Sequence, residues 1–563
     1  MAKWVEIRKG ADYQAISERF HITPFTARLI RNKEIIGEEE IRVYLHGGLS
    51  DLHPASLMKG ISEAAALLRE KIRKQEFIRI IGDYDIDGVC ATYILLRGLR
   101  EAGARVDTDI PDRKRDGYGL NLELVRRAFE AGVDTIITCD NGIAAPKEIA
   151  YAKEQGMTVI VTDHHELQEE VPAADVIVNP RQPECKYPFK KLCGAAVAWK
   201  LVQELWSSLS MPEDVLYGDL LMLAGFATVG DVMELAGENR ILVKESLKLL
   251  RRTAHPGMSA LIEANELKRD RLSAYHIGFV LGPCINASGR LATAKRALEL
   301  LDTKEEALAR SRAMELKRLN EERKNMTEQG LARAIEQIEQ SRQKEDRVLV
   351  VYLPDCHESL AGIIAGKIRE HYYRPVFVLT RGEEAVKGSG RSIETYSMFE
   401  EMSKCKDLFL KYGGHPMAAG LSLPEENVEE FRRRINEECS LTEEELTEVI
   451  RIDIALPFSH VSEKVVEELE LLEPFGNGNG KPVFAARNVQ VLEYRIMGKN
   501  QNALRMKLKD ESGAVLEGIC FNDQMRAVLA LLEQKQTMHM LYYPELNEYR
   551  GVKRLQVQVR NCL

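Results

Sequence analysis

Three apolar stretches of this 563-residue sequence each run out into groups that bind hard cations. FIRIIGDYDIDG closes on Asp83, Asp85 and Asp87, VDTIITCDNG on Asp140, and MTVIVTDHHE on Asp163, His164 and His165. Carboxylate oxygens and imidazole nitrogens with no thiolate pattern make a hard, mixed site, which favours Mn²⁺ or Mg²⁺ over structural zinc. Two such ions, about 3.5–4 Å apart, can stabilise an attacking hydroxide and a leaving alkoxide at phosphorus, and an aspartate between them can bridge both. Asp85 and Asp87 are one residue apart, and Gly88 permits a tight exit from the strand. A strand-end aspartate also caps a following helix. That accounts for one Asp but not for Asp-His-His at the same edge.

The elements that must position these groups read as strands alternating with helices. Phe77–Ile81 and Val133–Thr138 are buried strands, and MTVIVTDHHE and ADVIVNP supply two more. Helical patterns lie between or before them in MKGISEAAALLREKIRKQ, in NLELVRRAFEAG and in APKEIAYAKEQG. Such alternation implies βαβ units and a mostly parallel sheet, whose functional groups gather at the carboxyl edge. Residues 303–345 are charged and helix-prone; as one helix they would span about 65 Å at 1.5 Å per residue, unless Gly330 interrupts. This segment reads as a solvated connector and marks a boundary. A second αβ unit follows, with RVLVVYL, SLAGIIAGKIREHY and PVFVLT, and runs on through GSGRS to YGGHPMAAGLSL. In the tail, five stretches from NVQVLEYRIMG to RLQVQVR alternate at period two, as the strands of a small OB-like barrel do. The fold class expected is therefore α/β: a mostly parallel catalytic domain, a connecting helix, a smaller α/β domain and a terminal β-barrel.

The net charge of −9 weighs against a protein that coats nucleic acid through overall charge, and leaves room for a local basic groove. No apolar run reaches the roughly 18–20 residues that span a bilayer, and MAKWVEIRKG has no apolar signal region. A soluble, cytoplasmic protein is expected. The ten cysteines lack CxxC pairs; Cys185 and Cys193 are close, but no second pair completes a zinc set, so buried reduced thiols are expected. Residues 1–45 are mixed and carry no clear pattern.

GDYDIDG, TCDNGI and TDHHE match, in order, the signature blocks of the DHH phosphoesterase superfamily, and YGGHPMAAG matches its associated DHHA1 domain. PDRKRDGYGL, VNPRQPECKYPF, TVGD, GPCINASGRL, KGSGRS and PFGNGNGKPVF resemble the RecJ family of single-strand exonucleases, over roughly residues 55–560. The resemblance implies a metal set of Asp83, Asp85, Asp87, Asp140, His164 and Asp231, with His165 beside it in metal support or proton transfer and Asp140 also catalytic. By itself Asp231 is one acid after an apolar helix. It further implies phosphate or DNA contacts at Arg113, Asn286, Arg290, Ser389, Arg391, Gly413, Gly414 and His415. Guanidinium groups grip phosphate bidentately and glycine settings let backbone amides approach. A lone arginine also serves as a surface ion-pair partner, and His415 as a turn histidine; both readings stay open. Gly230 stands where alanine is usual, Cys284 where a basic residue is frequent, and Gly480 where proline is. The last leaves the stiffness of that linker open.

The resemblance also implies five segments: 1–50, a catalytic domain at 51–300, the connecting helix at 301–345, a substrate domain at 346–440 and the barrel at 441–563. The activity implied is two-metal (Mn²⁺ or Mg²⁺) hydrolysis of single-stranded DNA from the 5′ end to mononucleotides, in recombination and repair, by a monomer without a membrane. Single-strand binding protein and a RecQ-type helicase are family partners. A small-substrate DHH phosphodiesterase, acting on oligoribonucleotides or cyclic dinucleotides, and a non-catalytic Cdc45-like scaffold are the alternatives. The barrel is expected to grip single strands through stacking and basic groups; the candidates are Tyr542, Tyr543, Tyr549, Lys499, Arg505 and Lys507.

Overall fold

The computed structural model describes residues 2–112, 116–117, 119–209, 211–498, 501–534, 537–549 and 552–563, with the backbone alone for Asp523 and Tyr549. Five strands form a parallel sheet: β1 (Phe77–Ile81), β2 (Arg105–Asp109), β3 (Thr135–Cys139), β4 (Thr158–Thr162) and β5 (Val176–Val178). Their order is β2-β1-β3-β4-β5. β3 and β4 are buried along nearly their whole length, as strands covered on both faces must be. β2 reads RVDTD and lies at the edge, so polarity hides it from the hydrophobic pattern. The strand order reverses between β1 and β3. Crevices in open parallel sheets form at such a reversal, beyond the carboxyl ends of the strands; Gly82 and Asp83 follow β1, and Asp140 follows β3.

Helix α1 (Ile86–Glu101) leaves the β1 loop and packs on α2 (Gly194–Trp206) and α3 (Leu221–Gly230). All three carry few polar side chains, and α1 and α2 are buried along most of their length. Helix α4 (Gly282–Leu291) follows, then α5 (Glu306–Gln340), which runs unbroken through Gly330. That glycine is a site of close approach: a Cβ there would stand 2.6 Å from Ile364 Cδ1. Nor is α5 merely a solvated connector, because Ala334 and Ile338 belong to a buried core with strands of the second α/β unit. The strands there are β6 (Leu349–Tyr352), β7 (Val376–Arg381), β8 (Val386–Arg391), β9 (Lys411–His415) and β10 (Ala418–Leu423). Their order is β9-β10-β8-β7-β6, and β6–β7 is the parallel pair. Helix α6 (Ala361–Tyr372) covers β7 and β8.

The tail contains the five expected strands: β12 (Phe484–Met497), β13 (Ala503–Lys509), β14 (Val515–Phe521), β15 (Met538–Tyr549) and β16 (Val552–Cys562). A two-residue strand, β11 (Ile454–Ala455), joins β12. The pairings run β12-β13-β14-β16-β15, and β15 pairs again with β12. The helix Asn522–Glu533 between β14 and β15 broke the expected strand-to-strand rhythm. At the other end of the chain, helices Tyr13–Phe20, Pro24–Asn32 and Glu38–His46 fill the patternless N-terminal segment. Their buried residues Leu29, Ile30 and Tyr44 share one core with Phe458, Phe484 and Tyr542 of the tail.

The chain divides into two compact units, one of residues 1–3, 287–293 and 314–450, the other of 4–286, 294–313 and 451–563. The cysteines are unpaired, and all but Cys185 and Cys356 are buried. Among the described residues no helix is long and apolar enough to cross a membrane.

Candidate active site

Asp85 caps α1, its Oδ1 accepting the amides of Asp87 (2.9 Å) and Gly88 (3.0 Å). Capping and membership of the cation-binding group are therefore both true of this residue. Asp87, fully buried, accepts from the first amides of α2, Gly194 N at 2.6 Å and Ala195 N at 2.8 Å. The positive end of that helix thus faces the carboxylates. Sequence reasoning missed Gly194, where a Cβ would stand 2.7 Å from Asp140 Cβ; its signal was the small-residue run GAA at a helix start. Asn141 was also missed. Its Nδ2 donates to Ile81 O (3.2 Å) and Cys139 O (3.0 Å), stitching the ends of β1 and β3.

Asp140 is buried and held at φ 59°, a conformation that few non-glycine residues adopt and that is kept only where its surroundings enforce it. Its Oδ1 lies 3.1 Å from His164 Nε2, which is also 3.7 Å from Asp87 Oδ2 and 3.8 Å from Asp231 Oδ2. Three overlapping groups result: Asp83, Asp85 and Asp140; Asp87, His164 and Asp231; Asp140, His164 and His165. The structure thus brings together all six residues expected as ligands, plus His165. Asp163 orients rather than joins them. Its Oδ1 accepts the His164 and His165 amides and meets His165 Nδ1 at 2.7 Å, while Oδ2 accepts Ile143 N.

The electrostatics of this crevice call for a cation. Burial, then Asp87, Asp85, Asp83 and Asp231, push Asp140 well above the usual carboxylate range. Burial with Asp87 and Asp85 pushes Asp231 up to about 9, and burial with Asp87 raises Asp85. Burial holds His164 below its ordinary value and so favours the neutral ring, the form in which imidazole ligates a metal. Burial opposes charge on His165 as well, but the Asp163 carboxylate outweighs it and its pKa is raised. Crowded carboxylates that resist ionisation until a positive charge arrives, beside a neutral imidazole, fit a divalent metal.

Four of the second group of expected residues share one sheet face. Ser389 pairs with Gly420, and Gly420 with Gly413; two residues along, Arg391 pairs with Ala418, and Ala418 with His415. Residues opposite one another, or two apart, share a face. Ser389, Arg391, Gly413 and His415 are therefore set around a floor of Ala418 and Gly420, while Gly414 (φ 158°) belongs to the other face. Arg391 is tucked against the start of α6, where a Cβ on Gly362 would meet its Nη2 at 2.8 Å. Burial, then Arg369, hold its pKa below the ordinary value. Arg290 Nη1 donates to Ser359 O at 2.8 Å beside the same helix start.

The remaining expected residues have places of their own, and for two tyrosines of the tail the expectation is corrected. Asn286 Oδ1 accepts Ile86 N at 2.8 Å, so this residue braces the aspartate loop. Cys284, where a basic residue is frequent, is buried and its Sγ donates to Val280 O at 3.2 Å, a packed position. Tyr542 and Tyr543 are core residues, because strand alternation shows which residues share a face but not which face is wet. Arg505 and Lys507 are paired with Glu517 and Glu493. Arg113, Lys499 and the Tyr549 side chain lie outside the described residues.

Family models for the DHH family N-terminal domain match residues 77–225, for the DHHA1 domain residues 345–441, and for the RecJ OB domain residues 452–561. The single-stranded-DNA-specific exonuclease RecJ of Bacillus subtilis is 38% identical over 92% of this chain and 66% of its own length. The enzyme of that name from Haemophilus influenzae is 35% identical over 95% of each chain, and that of Escherichia coli 31% identical over 100% of this chain and 99% of its own. This chain thus spans about two thirds of the Bacillus relative and nearly all of the other two. The crystal structure of Thermus thermophilus RecJ with Mn²⁺ superposes with a TM-score of 0.83 at 29% identity, covering all of this chain and 79% of that one. A second, with Mg²⁺, gives 0.77 at 28% identity over 100% and 78%. With a carboxylate–imidazole crevice at the sheet's switch point and these likenesses along almost the whole length, the chain belongs to the RecJ family.

Proposed function

We propose that this protein is a metal-dependent exonuclease of single-stranded DNA that works from the 5′ end, releases 5′-mononucleotides and serves recombination and repair. The observation that carries the reading is the convergence of Asp83, Asp85, Asp87, Asp140, His164 and Asp231 on one crevice. These six would hold two Mn²⁺ or Mg²⁺ ions, which supply charge neutralisation at phosphorus and a lowered pKa for bound water. The protein's own part is to fix the donors: α2 amides for Asp87, α1 amides for Asp85, the strained turn for Asp140. Asp163 orients His165 and favours its charged form, so that Nε2 can pass a proton to the departing 3′ oxygen. Arg290, Ser389 and Arg391, with Arg113, would receive the terminal 5′ phosphate, helped by the positive end of α6.

The domain limits of 51–300, 346–440 and 441–563 carry over into this proposal, as do a monomeric state, recruitment by single-strand binding protein or a helicase, and a cytoplasmic site of action. The complete donor set argues against a scaffold. The tail domain argues against a small-substrate phosphodiesterase. The test is digestion of end-labelled single strands carrying 5′-phosphate or 5′-hydroxyl, with Mn²⁺ or with EDTA. Mononucleotides from the 5′ end with Mn²⁺ alone support the reading; metal-independent cleavage or release from the 3′ end refutes it.

A further inference from the structure

We infer that the loop reading PFGNGNG, residues 474–480, holds Asp231 in the metal crevice, with Asn477 as the positioning residue. The inference rests on the metal-binding reading above. Among the described residues the Asp231 carboxylate accepts no hydrogen bond, unlike Asp85 and Asp87, which are gripped by amides. With His164 Nε2 no nearer than 3.8 Å, its direction is set chiefly by the backbone. That backbone is strained: α3 ends at Gly230, and Val232, a β-branched residue, sits at φ 57°. Such a turn persists only where its neighbours hold it.

Asn477 does the holding. Its Nδ2 donates to Val232 O at 2.7 Å, and its own carbonyl accepts Leu235 N at 2.8 Å. One residue therefore ties both ends of the 232–235 turn. The flanking glycines permit this approach: a Cβ at Gly476 would stand 2.7 Å from Leu235 Cδ1, and one at Gly478 3.0 Å from Glu234 Cβ.

The loop is in turn anchored from behind. Buried Arg240 donates to Leu471 O, Leu472 O, Glu473 O and Pro474 O at 2.7–3.4 Å, and to Tyr44 O at 2.8 Å. Asn479 Nδ2 bonds Leu472 O and Pro474 O, and Lys33 Nζ bonds Gly480 O. Hydrogen bonds, not a proline ring at 480, make this linker stiff. Arg240 lies on the helix Gly237–Arg251, just beyond the turn that Asn477 ties. Turn, helix and loop close into one circuit with Asp231 at its tip.

The test is calorimetric titration of the full chain with Mn²⁺. Removing a group that orients a metal ligand costs roughly 10- to 100-fold in affinity, so Asn477→Ala should weaken Mn²⁺ binding about 10-fold or more. At saturating Mn²⁺ its KM for single-stranded DNA should match the wild type. Lys481→Ala, on the same segment but over the Tyr543 ring, should leave Mn²⁺ affinity unchanged. In an Asp231→Asn background Asn477→Ala should add no further loss, because the group it aims is gone. Unchanged Mn²⁺ affinity in Asn477→Ala, or a full additive loss in the double variant, overturns the inference. If the single variant folds poorly, Asn477→Asp, which keeps the shape and removes the donor, is read the same way. Wild-type protein that takes up no Mn²⁺ would instead overturn the metal reading, and this inference with it.

Discussion

Asp140 is buried, strained and 3.1 Å from His164 Nε2, and nothing in ordinary packing requires all three. Replacing it by alanine removes a ligand while leaving the basic and glycine-lined surfaces untouched. Cleavage should vanish and single-strand binding stay within about threefold, less than one kcal/mol; turnover by a correctly folded variant would sink the site. A second expectation concerns protons. Asp231, pushed up to about 9, and Asp140 bind protons more tightly in the fold than in the unfolded chain. With folded pKa values raised, metal-free stability is fullest below the ordinary carboxylate range and is lost as pH rises towards about 9. A divalent ion displaces those protons. Mn²⁺ should therefore raise Tm more near pH 8.5 than near pH 6, and calorimetry in two buffers of different ionisation enthalpy should show proton release. A Tm gain that shrinks with rising pH contradicts this account.

At the scale of elements, the register of β8, β10 and β9 puts Ser389 and Arg391 in rows with Gly413 and His415. A charge-assisted hydrogen bond is worth about 1.5–3 kcal/mol, so Arg391→Ala should weaken a 5′-phosphorylated strand roughly 10- to 150-fold. A 5′-hydroxyl strand should lose far less, since the deleted contact was never made. Equal losses on both ends, measured at two salt concentrations, would leave Arg391 an ordinary backbone contact. Period-two and apolar patterns made β1, β3, β4 and the five tail strands legible, because their faces are buried by local rules. They could not reveal β2, a polar edge strand, or the three N-terminal helices, whose apolar partners lie in the tail. Asp231 was equally silent in pattern: a lone acid at a helix end acquires meaning where the fold sets it beside Asp87 and His164. Asp163, read as part of the cluster, proved to orient it.

At the scale of the molecule, a core joining Leu29, Ile30 and Tyr44 to Phe458, Phe484 and Tyr542 makes the tail more than a substrate grip. For a tail that only grips substrate, deleting residues 450–563 raises KM for long strands much more than it lowers cleavage of a short oligonucleotide. The shared core and the Asn477 contact predict instead loss of N-terminal order and of metal affinity. Phe484→Ala, a large-to-small change at a fully buried ring, should cost about 3–5 kcal/mol. Hydrogen exchange should then rise together in residues 13–46 and in β12; loss of protection in β12 alone would refute a common core. The same core has a consequence during synthesis. Asn32 Nδ2 bonds Asp453 O across a separation of 421 residues. At roughly 5–20 residues per second, the first helices leave the ribosome about 20–80 s before their partners exist. For that interval their apolar stripes are open to chaperones, and a circular permutant that joins the two ends and opens a surface loop elsewhere should shed that dependence.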